Sequence, residues 1–162
     1  MSISTGSDTL PRETYRNLIR VHERLTGQFA QLFRGQGISP AQYNVMRILR
    51  EAPAEGAPCQ YIGAQLLTNV PDVTRLIDRM VASDLVRRER SSKDRRIVLV
   101  NLTGKGRDIH QRLDGPVDDL HAAQLGHLSP EQVQGLNRSL VAVLSQLLDE
   151  NSAGPSSDGP KE

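Results

Sequence analysis

The segment IGAQLLTNVPDVTRLIDRMVASDLVRRERSSKDRRIVLVNLT, residues 62–103, decides the fold of this 162-residue chain. Its middle part predicts a short helix, a tight turn and a second helix, because apolar residues recur there at helical spacing. After Leu85 the apolar period changes to two, which is typical of strands. The segment therefore predicts a helix-turn-helix followed by a β-hairpin. The apolar face of the second helix is expected to contain Val73, Leu76, Ile77, Met80 and Val81.

Polar residues and a proline mark the start of the second helix. Asn69 is the expected N-cap, and Pro71 is expected in the first turn, where its missing N–H costs no hydrogen bond. Asp72 adds a carboxylate near the positive end of the helix dipole. The opposite, polar face is expected to carry Thr74, Arg75, Asp78 and Arg79.

The hairpin that follows is basic at its tip. Residues 87–90 are expected to form one strand, residues 96–102 the second strand and residues 91–95 the tip. A helix-turn-helix inserts its second helix into the DNA major groove. A basic hairpin beside it reaches the backbone or a narrow minor groove, which attracts Arg. The pattern thus predicts a winged helix, and the alternative is an ordinary α+β domain whose charges are solvated.

Two runs in this segment carry a family resemblance. The run DRRIVLVNLT (94–103) looks like the D-x-R-x-x-x-V-x-L-T wing signature of the MarR family of bacterial transcription regulators. The run TRLIDRM (74–80), followed by DLV at 84–86, is similar to the recognition helix of that family. The resemblance extends from about Arg12 to Asp149. It implies a mainly α-helical dimer in which a winged helix-turn-helix with a small β-hairpin wing lies between long dimerisation helices.

Three residues at the start of the second helix are expected to contact bases in the major groove, because side chains on its early turns reach base edges. They are Pro71, Asp72 and Arg75. Arg75 is expected to donate two hydrogen bonds to a guanine, and Asp72 to accept one from a cytosine amino group. An equal alternative for Asp72 is that it complements the helix dipole or orients Arg75. Contacts with the DNA backbone are expected from Asn69, Thr74, Arg79, Lys93 and Arg95.

The resemblance also assigns roles in the wing. It implies that Asp94 holds Arg96 through a charge-assisted pair while Arg96 enters the minor groove. An unpaired Asp94 facing phosphate would be repulsive, so pairing with a neighbouring Arg is expected on physical grounds as well.

The distribution of charge supports a phosphate-binding face. The net charge of the whole chain is only +1, but residues 75–107 contain 10 Lys or Arg and 4 Asp or Glu, a net charge of +6. Residues 108–162 contain 3 Lys or Arg and 9 Asp or Glu, a net charge of −6. Because counterion release supplies sequence-independent affinity for DNA, double-stranded DNA is the expected partner.

The long flanking helices suggest self-association. An amphipathic helix is expected from Pro11 to about Arg34, and capping boxes are expected to begin helices at Ser39 and at Ser129. Thr103 is expected to cap the helix that leaves the wing. Apolar stripes recur in the helices after Thr103 and after Ser129. Gly115-Pro116 is expected to kink or break the first of these C-terminal helices. The expected divisions are a disordered start (1–10), an N-terminal dimerisation helix (11–37), the DNA-binding domain (38–102), C-terminal dimerisation helices (103–150) and a flexible tail (151–162).

Other classes of protein receive little support. The chain has no P-loop, dinucleotide fingerprint or HExxH pair, so we expect no enzyme and no cofactor. Its four histidines are dispersed, which disfavours a metal site. The lone Cys59, expected to begin a short strand, is more typical of a buried thiol than of a redox sensor. No apolar run approaches a membrane span and the start lacks a signal peptide, so we expect a cytoplasmic protein.

The resemblance further implies a small-molecule effector, since many MarR-like proteins bind lipophilic, often phenolic ligands between the dimer helices and the winged-helix lobe. For each of the candidate pocket residues named below, packing in the core is as good an explanation as ligand binding. We therefore predict a homodimeric repressor of a pseudo-palindromic operator, released by such a ligand. Alternatives are an effector-independent architectural or interaction module, and a thiol- or metal-responsive sensor. The candidate pocket residues are Tyr15, His22, Tyr43, Met46 and His110.

Overall fold

The computed structural model describes residues 9–68 and 70–152, the last three by their backbone alone. This part of the chain is mainly α-helical and contains an antiparallel sheet of strand order β1-β3-β2, which confirms the expected fold class. Helices and strands follow one another as α1 (Leu10–Arg34), α2 (Pro40–Glu51), β1 (Ala57–Pro58), α3 (Cys59–Gln65), α4 (Val73–Ala82), β2 (Val86–Arg90), β3 (Val98–Leu102), α5 (Gly104–Leu125) and α6 (Pro130–Ser152).

The chain divides into two compact units, residues 1–120 and 121–162. The first unit holds an apolar core to which α1, α2, α3, α4, the sheet and α5 all contribute. Burial of such side chains is the main stabilising contribution to folding, because it removes apolar surface from water. The core residues with no exposed surface are Val45, Met46, Ile62, Ile77, Met80 and Val100.

Helix α4 has the amphipathic pattern that the sequence predicted, with Leu76, Ile77 and Met80 buried, but Val81, which was expected on the same face, is exposed. The predicted N-cap was wrong. Asp72 caps the helix, because its side chain accepts a hydrogen bond from the N–H of Arg75, so Pro71 precedes the cap instead of lying in the first turn. Asn69 itself lies outside the described residues.

Helix α4 ends in a Schellman motif. The N–H of Leu85 donates to the carbonyl of Met80 at 2.9 Å, and the N–H of Asp84 donates to the carbonyl of Val81 at 3.0 Å. Asp84 has a φ of 56°, a left-handed conformation that glycine usually adopts. The motif turns the chain directly from α4 into β2.

Strands β2 and β3 form the wing, in antiparallel register from Val86 opposite Leu102 to Arg90 opposite Val98. The second strand begins at Val98, two residues later than predicted. The tip is correspondingly longer and is closed by a hydrogen bond of 2.9 Å from the N–H of Ser91 to the carbonyl of Ile97.

The predicted strand at Cys59 was also displaced. Strand β1 comprises Ala57–Pro58, and Cys59 begins α3. Ala57 pairs with Val100, so the turn before β1 is held against β3. Gly56 lies in that turn with a φ of 96°, and a Cβ there would lie 2.5 Å from the carbonyl oxygen of Val100.

Helix α5 begins as expected, because the Thr103 hydroxyl accepts the N–H of Gly106 at 3.0 Å. Of the two alternatives predicted at Gly115-Pro116, the break was wrong, since Pro116 lies inside a continuous helix, and the kink remains a prediction. The missing N–H of Pro116 deprives the carbonyl of Arg112 of its helical donor. Arg112 is exposed, so water can satisfy that carbonyl.

Both predicted capping boxes are present. Ser39 and Gln42 exchange hydrogen bonds of 2.8 and 3.2 Å at the start of α2. Ser129 and Gln132 do the same at 2.8 and 3.3 Å at the start of α6. These reciprocal bonds satisfy N–H groups that the first helical turn leaves free.

The terminal helices leave apolar side chains uncovered. On α1, Tyr15, Leu18 and Ile19 are exposed, whereas Phe33 near its end is buried. The predicted division into dimerisation and DNA-binding domains remains a prediction. Most of residues 1–10 and 151–162, the two ends predicted to be disordered or flexible, lie outside the described residues. On α6 the exposed apolar residues are Leu136, Leu140, Val141, Val143, Leu144, Leu147 and Leu148.

Candidate nucleic-acid interface

One face of α4 is polar, carries two arginines and two aspartates, and is open to solvent. The predicted major-groove residues Pro71, Asp72 and Arg75 are all exposed there, and so are Thr74 and Arg79. Burial of the opposite face against the core holds this face outward. The structure brings most of these side chains together around one open concavity of about 540 Å³, lined by Val70, Pro71, Asp72, Arg75, Asp78 and Arg79.

Asp72 and Arg75 are paired twice. One carboxylate oxygen of Asp72 accepts the backbone N–H of Arg75 at 2.9 Å, and the other lies 3.2 Å from the Arg75 Nε. The Arg75 side chain is nevertheless 84% exposed. This geometry supports the alternative in which Asp72 caps the helix and orients Arg75, and it leaves the outer nitrogens of the guanidinium available for another acceptor.

The wing tip is shaped by Asp94 in a way that differs from the expected ion pair. Asp94 Oδ1 accepts the backbone N–H of Arg96 at 2.9 Å. An acceptor two residues before its donor forms an Asx-turn, which satisfies the carboxylate within the backbone. The Arg96 side chain is exposed, and the tip therefore presents its guanidinium outward.

The other two basic residues of the tip, Lys93 and Arg95, are also exposed, and Lys93 has an ionic partner. The Arg90 guanidinium donates to the carbonyl of Arg95 at 3.0 Å, which fixes the backbone of the tip. Lys93 Nζ lies 2.9 Å from Glu55 Oε1, a carboxylate in the turn between α2 and β1. The tip thus exposes Arg95 and Arg96, together with a lysine that has an internal partner.

An ion pair connects the exposed face of α4 to the wing. Arg88 Nη1 on β2 donates to Asp78 Oδ1 on α4 at 2.5 Å, and this bond raises the pKa of the Arg88 guanidinium. Such a pair between two secondary-structure elements restricts their relative motion. The helix and the wing are therefore joined by side chains as well as by the chain.

The candidate ligand residues are not gathered in one place. Met46 is part of the core, Tyr15 and His22 lie on the exposed part of α1, and Tyr43 stacks on His110 with ring centroids 5.3 Å apart. Of the five, the structure therefore brings Tyr43 and His110 into contact. A cavity of about 310 Å³ beside them is lined by Arg50, Leu102, Arg107, His110, Gln111 and Asp114.

His110 is 3% exposed and has competing partners. Its Nδ1 lies 3.3 Å from Arg50 Nη1 and 3.2 Å from Asp114 Oδ1, and the guanidinium bridges both oxygens of Asp114. A neutral ring that accepts from Arg50 at Nδ1 would carry its proton on Nε2, for which the described residues offer no partner, whereas a ring protonated at Nδ1 would donate to Asp114.

Burial is the main cause that lowers the pKa of His110. The Asp114 carboxylate opposes this effect and Arg50 adds to it. Burial, followed by the charge of Asp114, raises the pKa of the Tyr43 phenol. The ring pair is therefore held in its neutral form near pH 7.

Neither a metal centre nor a membrane helix is indicated in the described ranges. Among residues 9–68 and 70–149, no cluster of three or more His, Cys, Asp or Glu side chains is arranged to hold a metal ion. Within the same part of the chain, every helix is too short or too polar to cross a bilayer. Cys59, half-buried, is a free thiol.

The geometry of an exposed helix beside a basic wing agrees with comparisons to known proteins. The model of the MarR family matches residues 38–98. The HTH-type transcriptional regulator MgrA of Staphylococcus aureus is 31% identical over 115 residues, which cover 70% of this chain and 75% of that protein. The chain belongs to the MarR family.

Solved structures of MarR proteins share the fold. A MarR transcription factor from Planctomyces limnophilus is 36% identical, with a TM-score of 0.62 over 81% of this chain and 95% of that one. A mutant MarR from E. coli, solved in complex with operator DNA, is 25% identical, with a TM-score of 0.73 over 86% and 99% of the two chains. The match to the MarR fold therefore extends well beyond the 38–98 segment.

Two contacts of this MarR protein were not anticipated from its sequence. Arg88 was expected only as part of a polar strand, and Glu55 was not singled out. Asp78 and Arg88 are 10 residues apart, and Glu55 and Lys93 are 38 apart. The basic composition of residues 87–96 was the only available signal, and it does not reveal which cations have internal partners.

Proposed function

We propose that this MarR-family protein is a sequence-specific, double-stranded DNA-binding transcriptional regulator that acts as a homodimeric repressor. The observation that carries the proposal is the exposed polar face of α4, with its two arginines, joined to an exposed, basic wing through Asp78 and Arg88. A helix of this kind fits the major groove, and the wing beside it supplies phosphate or minor-groove contacts.

The roles assigned to the described residues follow from the exposure and contacts of their side chains, and the role of Asn69 rests on the sequence alone. Arg75, exposed at the first turn of α4, would read a guanine, with Asp72 orienting it. Arg96 would enter the minor groove, its backbone positioned by Asp94. Phosphate contacts are proposed for Asn69, Thr74, Arg79, Lys93 and Arg95.

Dimerisation is proposed from the uncovered apolar side chains of α1 and α6. Tyr15 is 64% exposed and Leu144 is 58% exposed, although apolar rows of this length on a helix are usually buried against another element. A second copy of the chain is the occupant that the family suggests. The dimer would place two α4 helices about 10 bp apart on a pseudo-palindromic site.

Release by a small, lipophilic or phenolic ligand is the remaining part of the proposal. Support comes from the cavity beside His110, which offers a buried ring, two guanidinium groups and a carboxylate. The acidic group of such a ligand would compete with Asp114 for Arg50, and its aromatic ring would suit a site near Tyr43. The proposal predicts that such a ligand lowers affinity for the operator.

The decisive experiment selects bound sequences from random duplex DNA with the purified full chain and then measures affinity for the selected and for scrambled duplexes. Enrichment of a pseudo-palindrome supports a specific regulator. Binding without sequence preference would favour the alternative function, an architectural module, over a specific regulator. Failure to retain any duplex at low salt would overturn the proposal that the protein binds DNA. A panel of substituted phenols and aromatic acids, added to the selected complex, tests release.

A matched pair of variants tests the dimer. Leu144→Glu places a charge in the apolar row of α6, whereas Ser145→Glu adds the same charge at a neighbouring polar, exposed position. The first is expected to shift the chain to monomer in sedimentation velocity, and the second is expected to leave it dimeric. A monomeric parent protein at micromolar concentration would refute the assignment.

A further inference from the structure

The wing-tip lysine of this protein is bound by the protein's own carboxylate. Lys93 Nζ lies 2.9 Å from Glu55 Oε1, although the residues are 38 positions apart. Both side chains are more than half exposed, at 82% for Lys93 and 53% for Glu55. The hydrogen bond from Lys93 also lowers the pKa of Glu55, which favours the charged carboxylate.

The backbone that carries Glu55 is anchored to the sheet. Glu55 lies in a turn whose backbone is fixed to β3, because the Asn101 side chain donates to the Glu55 carbonyl at 3.0 Å. The next residue, Gly56, packs so closely on Val100 and Asn101 that no Cβ would fit. Lys93 lies in the hairpin tip, outside the paired strands. The Glu55 carboxylate therefore reaches Lys93 from an anchored backbone.

We propose that Glu55 is a positioning residue that competes with DNA phosphate for Lys93. The inference rests on the proposed function, since it concerns how the wing meets DNA. In the free protein, Glu55 holds the Lys93 ammonium against the turn before β1. On DNA, the ammonium exchanges this carboxylate for a phosphate oxygen, and Glu55 is left solvated.

Counterion thermodynamics makes this exchange measurable. A cation that neutralises one phosphate contributes a slope of about −0.9 to the dependence of log K on log salt concentration. When that cation leaves an internal carboxylate, the freed carboxylate attracts a solution cation and offsets part of this release. Removal of the Glu55 charge should therefore increase the affinity and steepen the salt dependence.

The test compares variants of the full chain on one duplex at several salt concentrations. Glu55→Gln removes the charge and keeps the shape of the side chain. Glu51→Gln makes the same change in charge at the end of α2, where the carboxylate pairs with Arg47 and not with the wing. Lys93→Gln and the double variant Glu55→Gln/Lys93→Gln complete the cycle.

We expect Glu55→Gln to bind about two- to five-fold more tightly at ~50 mM salt, with a slope steeper by up to about 0.9. In the Lys93→Gln background the same substitution should have no more effect than Glu51→Gln has in the parent protein. Equal gains with and without Lys93 would overturn the inference, because the acid would then act by general repulsion. Weaker binding of Glu55→Gln would overturn it too, since Glu55 would then aid the contact. Parent protein that retains no duplex would instead refute the proposed function.

Discussion

The Asp72 carboxylate holds Arg75 at both ends, by its backbone N–H at 2.9 Å and by its guanidinium Nε at 3.2 Å. A single acid thus begins helix α4 and restricts the residue that we propose to contact a base. Because the two bonds use different oxygens, substitutions can separate capping from the orientation of the guanidinium.

Asp72→Asn should preserve the cap, since an amide oxygen also accepts at this position, but it should lose the ionic restraint on Arg75. Asp72→Ala should lose both and destabilise the fold by about 0.5–2 kcal/mol. Urea denaturation measures the loss of stability when the cap is removed, and titration of a duplex measures the effect of losing the ionic restraint on Arg75. If Asn at this position abolishes preference at one base pair without loosening the Arg75 contact, direct reading by Asp72 would be favoured over a positioning role.

Arg75→Ala and Lys93→Ala should weaken DNA binding in different ways. Loss of Arg75 should cost about 1–3 kcal/mol on the preferred sequence and relax one base position, because a bidentate contact with guanine is lost. Loss of Lys93 should weaken all sequences alike. Titrations of specific and scrambled duplexes at several salt concentrations distinguish the two, and identical patterns for both variants would contradict the assigned roles.

Gly106→Ala should destabilise the winged-helix unit by about 1–3 kcal/mol, as overpacked core positions do. A Cβ at Gly106 would lie 2.1 Å from the carbonyl oxygen of Leu85, where α5 packs on the start of the wing. Gly27→Ala, in the interior of α1, meets nothing within 4 Å and should stabilise the protein by about 0.5–1 kcal/mol. The free energies of unfolding in urea test the pair, and equal effects would show that the close approach is not significant.

Asp84→Gly should raise stability by up to about 1 kcal/mol, because Asp84 occupies the left-handed position of the Schellman motif at a φ of 56°. Asp84→Ala serves as the control, since it removes the same carboxylate while retaining a Cβ, and it should lower stability. Thermal unfolding of the two variants checks the order. A less stable Gly variant would mean that the Asp84 side chain itself supports the turn.

Acidification should destabilise the protein through His110. Its folded-state pKa is lowered, mainly by burial, so the unfolded chain takes up a proton near pH 6.5 before the folded chain does. Stability should therefore fall as the pH drops through that range, by at most about 1.4 kcal/mol per pH unit for one proton. The protonated ring would also donate from Nδ1 to Asp114 and exclude Arg50 from that nitrogen.

Unfolding curves between pH 7.5 and 5 measure this dependence in the parent protein and in His110→Gln, which should show a shallower slope. His22→Gln, at an exposed position of α1, provides a comparison that should retain the parent slope. An unchanged slope in His110→Gln would place the acid sensitivity elsewhere.

Local signals in the sequence predicted local structure well. The capping boxes at Ser39 and Ser129, the apolar face of α4 and the cap at Thr103 each depend on residues within a few positions of one another. The choice between Asn69 and Asp72 as the cap of α4 was wrong because both residue types suit that role equally. The backbone context then decides.

Contacts between distant segments were not predictable in this way. Strand β1 exists because Ala57 meets Val100, and its two residues carry no recognisable strand pattern of their own. The polar face of α4 and the basic tip of the wing are exposed, as the sequence predicted. The pairing of Arg88 with Asp78, however, depends on how the helix and the wing pack. Composition indicates that a surface is basic, but folding determines which of its charges are available.

The uncovered leucines of α6 have a consequence for the life of the protein in a cell. If a second copy covers them, the folded state gains stability by mass action, and the melting temperature rises with protein concentration. Chains made at low abundance would spend more time with that apolar row in water, accessible to proteases and chaperones. The amount of regulator would then have a lower threshold set by subunit association, below which newly made copies are removed.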